Sequence, residues 1–198
     1  MGAVVLTTTT LLVACGTPPW ERGAPTGSAT STTDEATTDA ATPPSEPAAT
    51  GDLAGGNTRR DLTAGAAALT VSYWTDLPAV QWTAAASKPV SLSVSATEPN
   101  GAEVYLQRLR AVATALDGTG APLDAPPAFE DAAAVSPGYL MSDPYSYSTS
   151  FTIGALDPTA RTIRVDLTYE ILQRATPEST DLVKQTAHDT LTLGVVGP

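Results

Sequence analysis

The sequence predicts an all-β fold: an antiparallel two-sheet sandwich preceded by a disordered N-terminal stalk. Three observations carry this expectation. Two segments of the C-terminal part, Val90–Ala96 and Ile163–Ile171, alternate apolar and polar residues without error, the period of half-buried strands. Turn-forming residues recur between the alternating segments, at Glu98–Gly101, Asp117–Gly120, Ser136–Gly138, Asp143–Pro144 and Asp157–Pro158. Ahead of residue 61 the composition shifts to Thr, Pro, Ala, Ser and Gly. The expected organisation is therefore a leader over 1–14, a disordered Thr/Pro/Ala-rich linker over 15–60, and a sandwich domain over 61–198.

Met1 to Ala14 is an apolar run broken by four threonines, Thr7–Thr10. It is shorter than the roughly 20 residues a membrane-spanning helix needs, and its length suits the apolar part of a signal peptide. The junction Leu12-Val13-Ala14-Cys15 resembles the lipobox of bacterial lipoproteins, and Cys15 is the only cysteine in the chain. The resemblance implies that the Cys15 thiol is acylated and that the leader is cut just before it. No Lys or Arg precedes the apolar run, a departure from the usual charged start, so either the natural start is expected upstream or the chain is trimmed. With its sole cysteine given to lipid, the domain has no disulfide and must be stable on core packing.

From Gly16 to about Arg60, only Trp20 and Leu53 are large and apolar. So little hydrophobic gain does not offset an ordering cost of about 1–2 kcal/mol per residue, and the stretch is expected to stay disordered. A coil of this length reaches about 35–40 Å on average and about 150 Å when fully drawn out. It reads as a plain spacer, although its many Ser and Thr residues are of the kind that accept O-linked sugar.

In the domain, Val90, Leu92, Val94 and Ala96 share one face against three serines, and Ile163–Ile171 sets Arg164, Asp166, Thr168 and Glu170 toward water. Leu69–Tyr73, Tyr147–Ile153 and Leu191–Val195 follow the same alternation, and Val80–Thr83 reads as a short strand. Glu103–Leu116 is ambiguous. Leu106, Leu109, Ala113 and Leu116 line up on a helix face, whereas a strand would group Tyr105, Leu109, Ala111 and Ala113 against Arg108 and Arg110. The all-β setting and the Asp-Gly turn that follows favour a long strand. Six to eight short strands in this length suggest a sandwich. Their pattern resembles the immunoglobulin-like domains of exported lipoproteins of the high-GC Gram-positive type, without the Cys-Trp-Cys signature of antibody domains. A domain of this size buries close to two-thirds of its unfolded surface, enough for a stable core.

A formal net charge of −11, with only ten scattered basic residues, excludes nucleic acid as a partner. It also assigns any membrane contact to the lipid rather than to charge. Catalysis finds no machinery in the sequence. His188, the single histidine, falls on the polar side of Thr186–Thr190, and no Gly-x-Ser-x-Gly elbow exists. Metal ligands are too few: no spare His or Cys, no Asp-x-Asp spacing, and methionine only at Met1 and Met141. The expectation is a protein without cofactor or metal and not an enzyme. A carboxylate-type glycan hydrolase is the alternative, since two acids need only meet in space.

The most informative stretch is the long connection from Asp117 to Tyr147. Loops of that length in compact domains are usually functional or disordered. Phe129, Tyr139, Met141 and Tyr145 are of the type that forms contact surfaces, or that caps the open end of a sandwich as core. Trp74 and Trp82 are expected in the core. The functional expectation is a lipid-anchored protein on the outer face of the cell membrane, whose domain binds wall glycan or another exported protein. A small-ligand carrier using the aromatic loop is the other alternative.

Overall fold

The computed structural model describes residues 50–197. Cys15, the leader and the linker up to residue 49 lie outside the described residues. Within them the chain is all strand and loop apart from one 3-10 turn, Ala79–Gln81, where the short strand over 80–83 was expected. Pro78 ahead of this turn donates no N–H to a ladder, and the turn swings Trp82 inward. Trp82 is fully buried, its indole N–H donating to Leu77 O at 3.0 Å.

Among the described residues nine strands form two antiparallel sheets. The first contains β1 (Asn57–Ala64), β2 (Ala67–Trp74), β3 (Lys88–Thr97) and β7 (Tyr147–Ile153), in the order β1-β2-β3-β7. The second contains β4 (Val104–Leu116), β5 (Phe129–Ala132), β6 (Tyr139–Leu140), β8 (Thr162–Arg174) and β9 (Leu182–Gly194). Its order is β5-β4-β8-β9, with β6 continuing along the β5 side of β4. With β2, β3 and β7 in the roles of A, B and E, and β4, β8 and β9 in those of C, F and G, the topology is immunoglobulin-like. β1 is an added edge strand.

The alternating segments face as the sequence predicts. Val90, Leu92, Val94 and Ala96 meet Ile163, Val165, Leu167, Tyr169 and Ile171 across the interior. Register is secure because a one-residue slip would bury Arg164 and Asp166.

Glu103–Leu116 forms the long strand, and the structure explains its helical appearance. The pairing of β4 with β8 shifts between Leu106 and Arg108, a β-bulge that doubles one residue against its partner. Leu106 and Leu109, three apart, therefore both face the core. The bulge also corrects the expected grouping of Tyr105 with Leu109. Tyr105 lies on the other face, donates its phenol proton to Glu103, and is covered by the backbone at Gly138.

The folded body starts earlier than residue 61. Leu53 is 1% exposed and belongs to the core. Asp52 N–H donates to Thr192 O at 2.7 Å, and the Asp52 carboxylate accepts from Thr192 N–H at 2.7 Å and from Arg60 at 2.6 Å. Gly51 permits this approach: its φ is +92°, and a Cβ there would lie 2.3 Å from Thr192 O.

Both edge strands of the second sheet carry an inward carboxylate that accepts a phenol from the first sheet. On β9, Asp189 accepts from Tyr73 at 2.8 Å; on β5, Asp131 accepts from Tyr147. Inward charge on an edge strand also discourages pairing with another chain. Tyr73 and Tyr169 hydroxyls lie 2.8 Å apart. Tyr73 has one proton and gives it to the carboxylate, so Tyr169 is the donor to Tyr73.

A candidate binding cleft of three tyrosines

The long aromatic connection becomes an edge of the sandwich. β5 and β6 hydrogen-bond to β4, which brings them alongside β7, the edge of the opposite sheet. Two aromatic stacks bridge the gap. Phe129 stacks on Phe151 and Tyr139 on Tyr147, each with ring centroids 5.4 Å apart, a favourable offset-stacking separation. Phe129 and Asp131 pair in register with Ala111 and Leu109, so both take the core-facing side of β5.

Above the second stack lies an open cleft of about 510 Å³, lined by Asp131, Tyr139, Tyr145, Tyr147 and the serines 146 and 148. Tyr145 sits on the turn closed by its N–H to Ser142 O at 2.9 Å, and at 58% exposure its ring is largely free. Tyr139 is half-buried and forms a wall. Tyr147 is buried; burial first, and its bond to Asp131 second, push its phenol above the ordinary range, so it stays a neutral donor. Asp131 uses Oδ2 for this bond. Arg108, beside it on β4, turns instead to Glu130 and Glu170 on the outer face. The cleft thus combines one exposed ring, stacked ring walls, tyrosine and serine hydroxyls and a carboxylate oxygen. Its volume and mixed lining are those of a small-ligand or side-chain site.

Of the four aromatic-loop residues singled out in the sequence, Tyr139 and Tyr145 line this cleft. Phe129 lies beneath it in the stack with Phe151. Met141 is a correction: it is fully buried in the core, its backbone bonded to Val104 and Ala96. Sequence reading missed Asp131 and Tyr147. Glu130-Asp131 appears as an ordinary acidic pair, and only strand alternation separates the outward Glu130 from the inward Asp131. Trp82 is core as expected, while Trp74 is half-buried on the outer face of its sheet.

Other polar features are structural. His188 is exposed, with Nδ1 3.3 Å from the Thr168 hydroxyl. Lys88 is fully buried and donates to the carbonyls of Ala86 at 2.7 Å and Ala84 at 3.4 Å, tying down the loop before β3. Burial lowers its pKa. On the outer face of the second sheet, Arg174 bonds Glu103 at 2.5 Å, and Glu103 also accepts from Tyr105. These bonds hold the Glu103 carboxyl below its ordinary value. Among the described residues no three His, Cys, Asp or Glu side chains gather as metal ligands, and no helix is long and apolar enough to cross a membrane. A further recess of about 250 Å³ near Leu156, Pro158 and Val196 is apolar and offers little polar chemistry. Compared with known proteins, the chain matches no family model and none of the curated proteins.

Proposed function

We propose that this chain is an exported lipoprotein, anchored through Cys15 to the outer face of the cell membrane, whose sandwich domain is a binding module of the envelope. The Thr/Pro/Ala-rich segment ahead of residue 50 spaces the domain from the lipid. The tyrosine cleft takes the partner, a wall glycan or a group on another exported protein.

The observation that carries this reading is the 58% exposure of Tyr145 beside a cleft with stacked walls. A large ring held out on a turn, beside walls already packed in the folded state, contacts a ligand at little ordering cost. The chemistry favours binding over hydrolysis, because among the described residues the cleft presents one carboxylate where glycoside cleavage uses two.

Two measurements test it. Labelled palmitate is expected to enter the wild type and not Cys15→Ala; equal labelling removes the anchor. Purified full chain is expected to co-sediment with isolated cell-wall fragments, and Tyr145→Ala to reduce retention at least fivefold with an unchanged melting temperature. Undiminished retention by Tyr145→Ala removes the cleft from the function.

A further inference from the structure

Among the described residues the tyrosine cleft is lined by a carboxylate and three phenol rings and by no Lys, Arg or His. Among the described residues Asp131 Oδ1 has neither a hydrogen-bond nor an ion-pair partner, while Oδ2 is taken by Tyr147. The chain as a whole carries a formal net charge of −11. A cleft with low-dielectric walls and a carboxylate inside concentrates negative potential.

Three ligand classes respond differently to this site. An anion is repelled by Asp131 and finds no counter-charge. A neutral ligand covering the cleft strips water from Oδ1 and replaces it only if a donor happens to meet that oxygen. A cation gains from both parts of the site: it neutralises Oδ1, and it is attracted to the negative face of an aromatic ring within about 6 Å. Tyr139 and Tyr147 spend one face each on their mutual stack, which leaves the Tyr145 face as the principal platform. A compact primary ammonium is strongly hydrated and sheds that water at a cost in an open cleft. An ammonium bearing alkyl groups holds water weakly and adds apolar contact with the rings.

The geometry points to an alkylated ammonium group as the ligand of this cleft, seated on the Tyr145 ring and against the free oxygen of Asp131. This rests on the reading of the cleft as the binding site.

The test compares choline with its uncharged isostere, 3,3-dimethylbutan-1-ol, each titrated into the full chain while the tyrosine ring resonances are followed by NMR. Choline is expected to shift the Tyr139 and Tyr145 signals saturably, with the alcohol at least tenfold weaker. Asp131→Asn, whose amide oxygen still accepts the Tyr147 proton, and Tyr145→Ala, at an exposed position, are each expected to weaken choline about tenfold. Equal binding of the alcohol, or full choline affinity in Asp131→Asn, overturns the charge assignment. Absence of any saturable shift with choline overturns the inference altogether. If wall fragments are then still retained in a Tyr145-dependent way, the cleft stands as the binding site with a different ligand. If that retention is also absent, both readings fall.

Discussion

The clasp of Tyr169, Tyr73 and Asp189 makes a directional chain of hydrogen bonds, and direction predicts unequal costs for two nearly identical substitutions. Tyr73 and Tyr169 are both fully buried, and Asp189 is half-buried, with its other oxygen accepting from Thr190 N–H. Tyr73→Phe removes a phenol–carboxylate bond and leaves the Tyr169 hydroxyl a buried donor with nothing to donate to. The lost bond is worth about 1.5–3 kcal/mol and the orphaned donor about 1–3 kcal/mol. Water reaching Asp189 recovers part of the first, so the expected loss is about 2–4 kcal/mol. Tyr169→Phe removes only a neutral bond at the donor end of the chain, about 0.5–1.5 kcal/mol, and leaves Tyr73 bound to Asp189. In the Tyr73→Phe background, Tyr169→Phe deletes the orphan instead of a bond and is expected to be neutral or stabilising. A double-mutant cycle by urea denaturation measures this coupling directly. For a domain of this size the single changes correspond to falls of roughly 4–16 °C for Tyr73→Phe and 1–6 °C for Tyr169→Phe. Equal single costs, or additive ones, would refute the direction assigned to the chain.

Four further outcomes are expected. Burial, the largest cause at each, and with it the carboxylates of Asp189 (for Tyr73 and Tyr169) and Asp131 (for Tyr147) raise the phenols of Tyr73, Tyr147 and Tyr169 above the ordinary 10.0. Their stabilising effect is full below pH 10 and is lost as pH rises beyond it, because the unfolded chain then sheds protons the native state keeps. Melting temperature is expected to fall steadily between pH 10 and 12, with tyrosinate absorbance from these three residues appearing only on unfolding; early ionisation of all six tyrosines contradicts it. Val165→Asp puts an unpaired carboxylate at a fully buried position on the central strand β8, and a cooperative thermal transition near the wild-type temperature would show that the face is misassigned. A chain begun at residue 61 loses Leu53, the Asp52 clasp and half of β1, and should melt many degrees below one begun at 50. Gly51→Ala, forced toward Thr192 O, should lower stability while Gly55→Ala, with open space around it, should not; the reverse order would detach the 50–56 segment from the stability of the fold.

The sequence alone determined the class of the domain and the facing of its principal strands. Alternation at period 2 is a local property written residue by residue, so Val90–Ala96, Ile163–Ile171 and Tyr147–Ile153 could be assigned without knowing their neighbours. Tertiary structure decided whatever depends on pairing. The bulge at Leu106–Arg108 exists only against β8, and it turned a strand into an apparent helix face. Thr50–Arg60 reads as linker because its ordering energy comes from Leu53 in a distant core and from Asp52 on the backbone of β9. The cleft was half legible: Tyr139 and Tyr145 stood out by size, whereas Met141 was sent to the core by its place next to β4. Asp131 and Tyr147 acquire a role only because β5 and β7, edges of opposite sheets, lie side by side. Hydrophobic period reports which way a side chain points; which side chains meet is set by the register and layering of strands far apart in the chain.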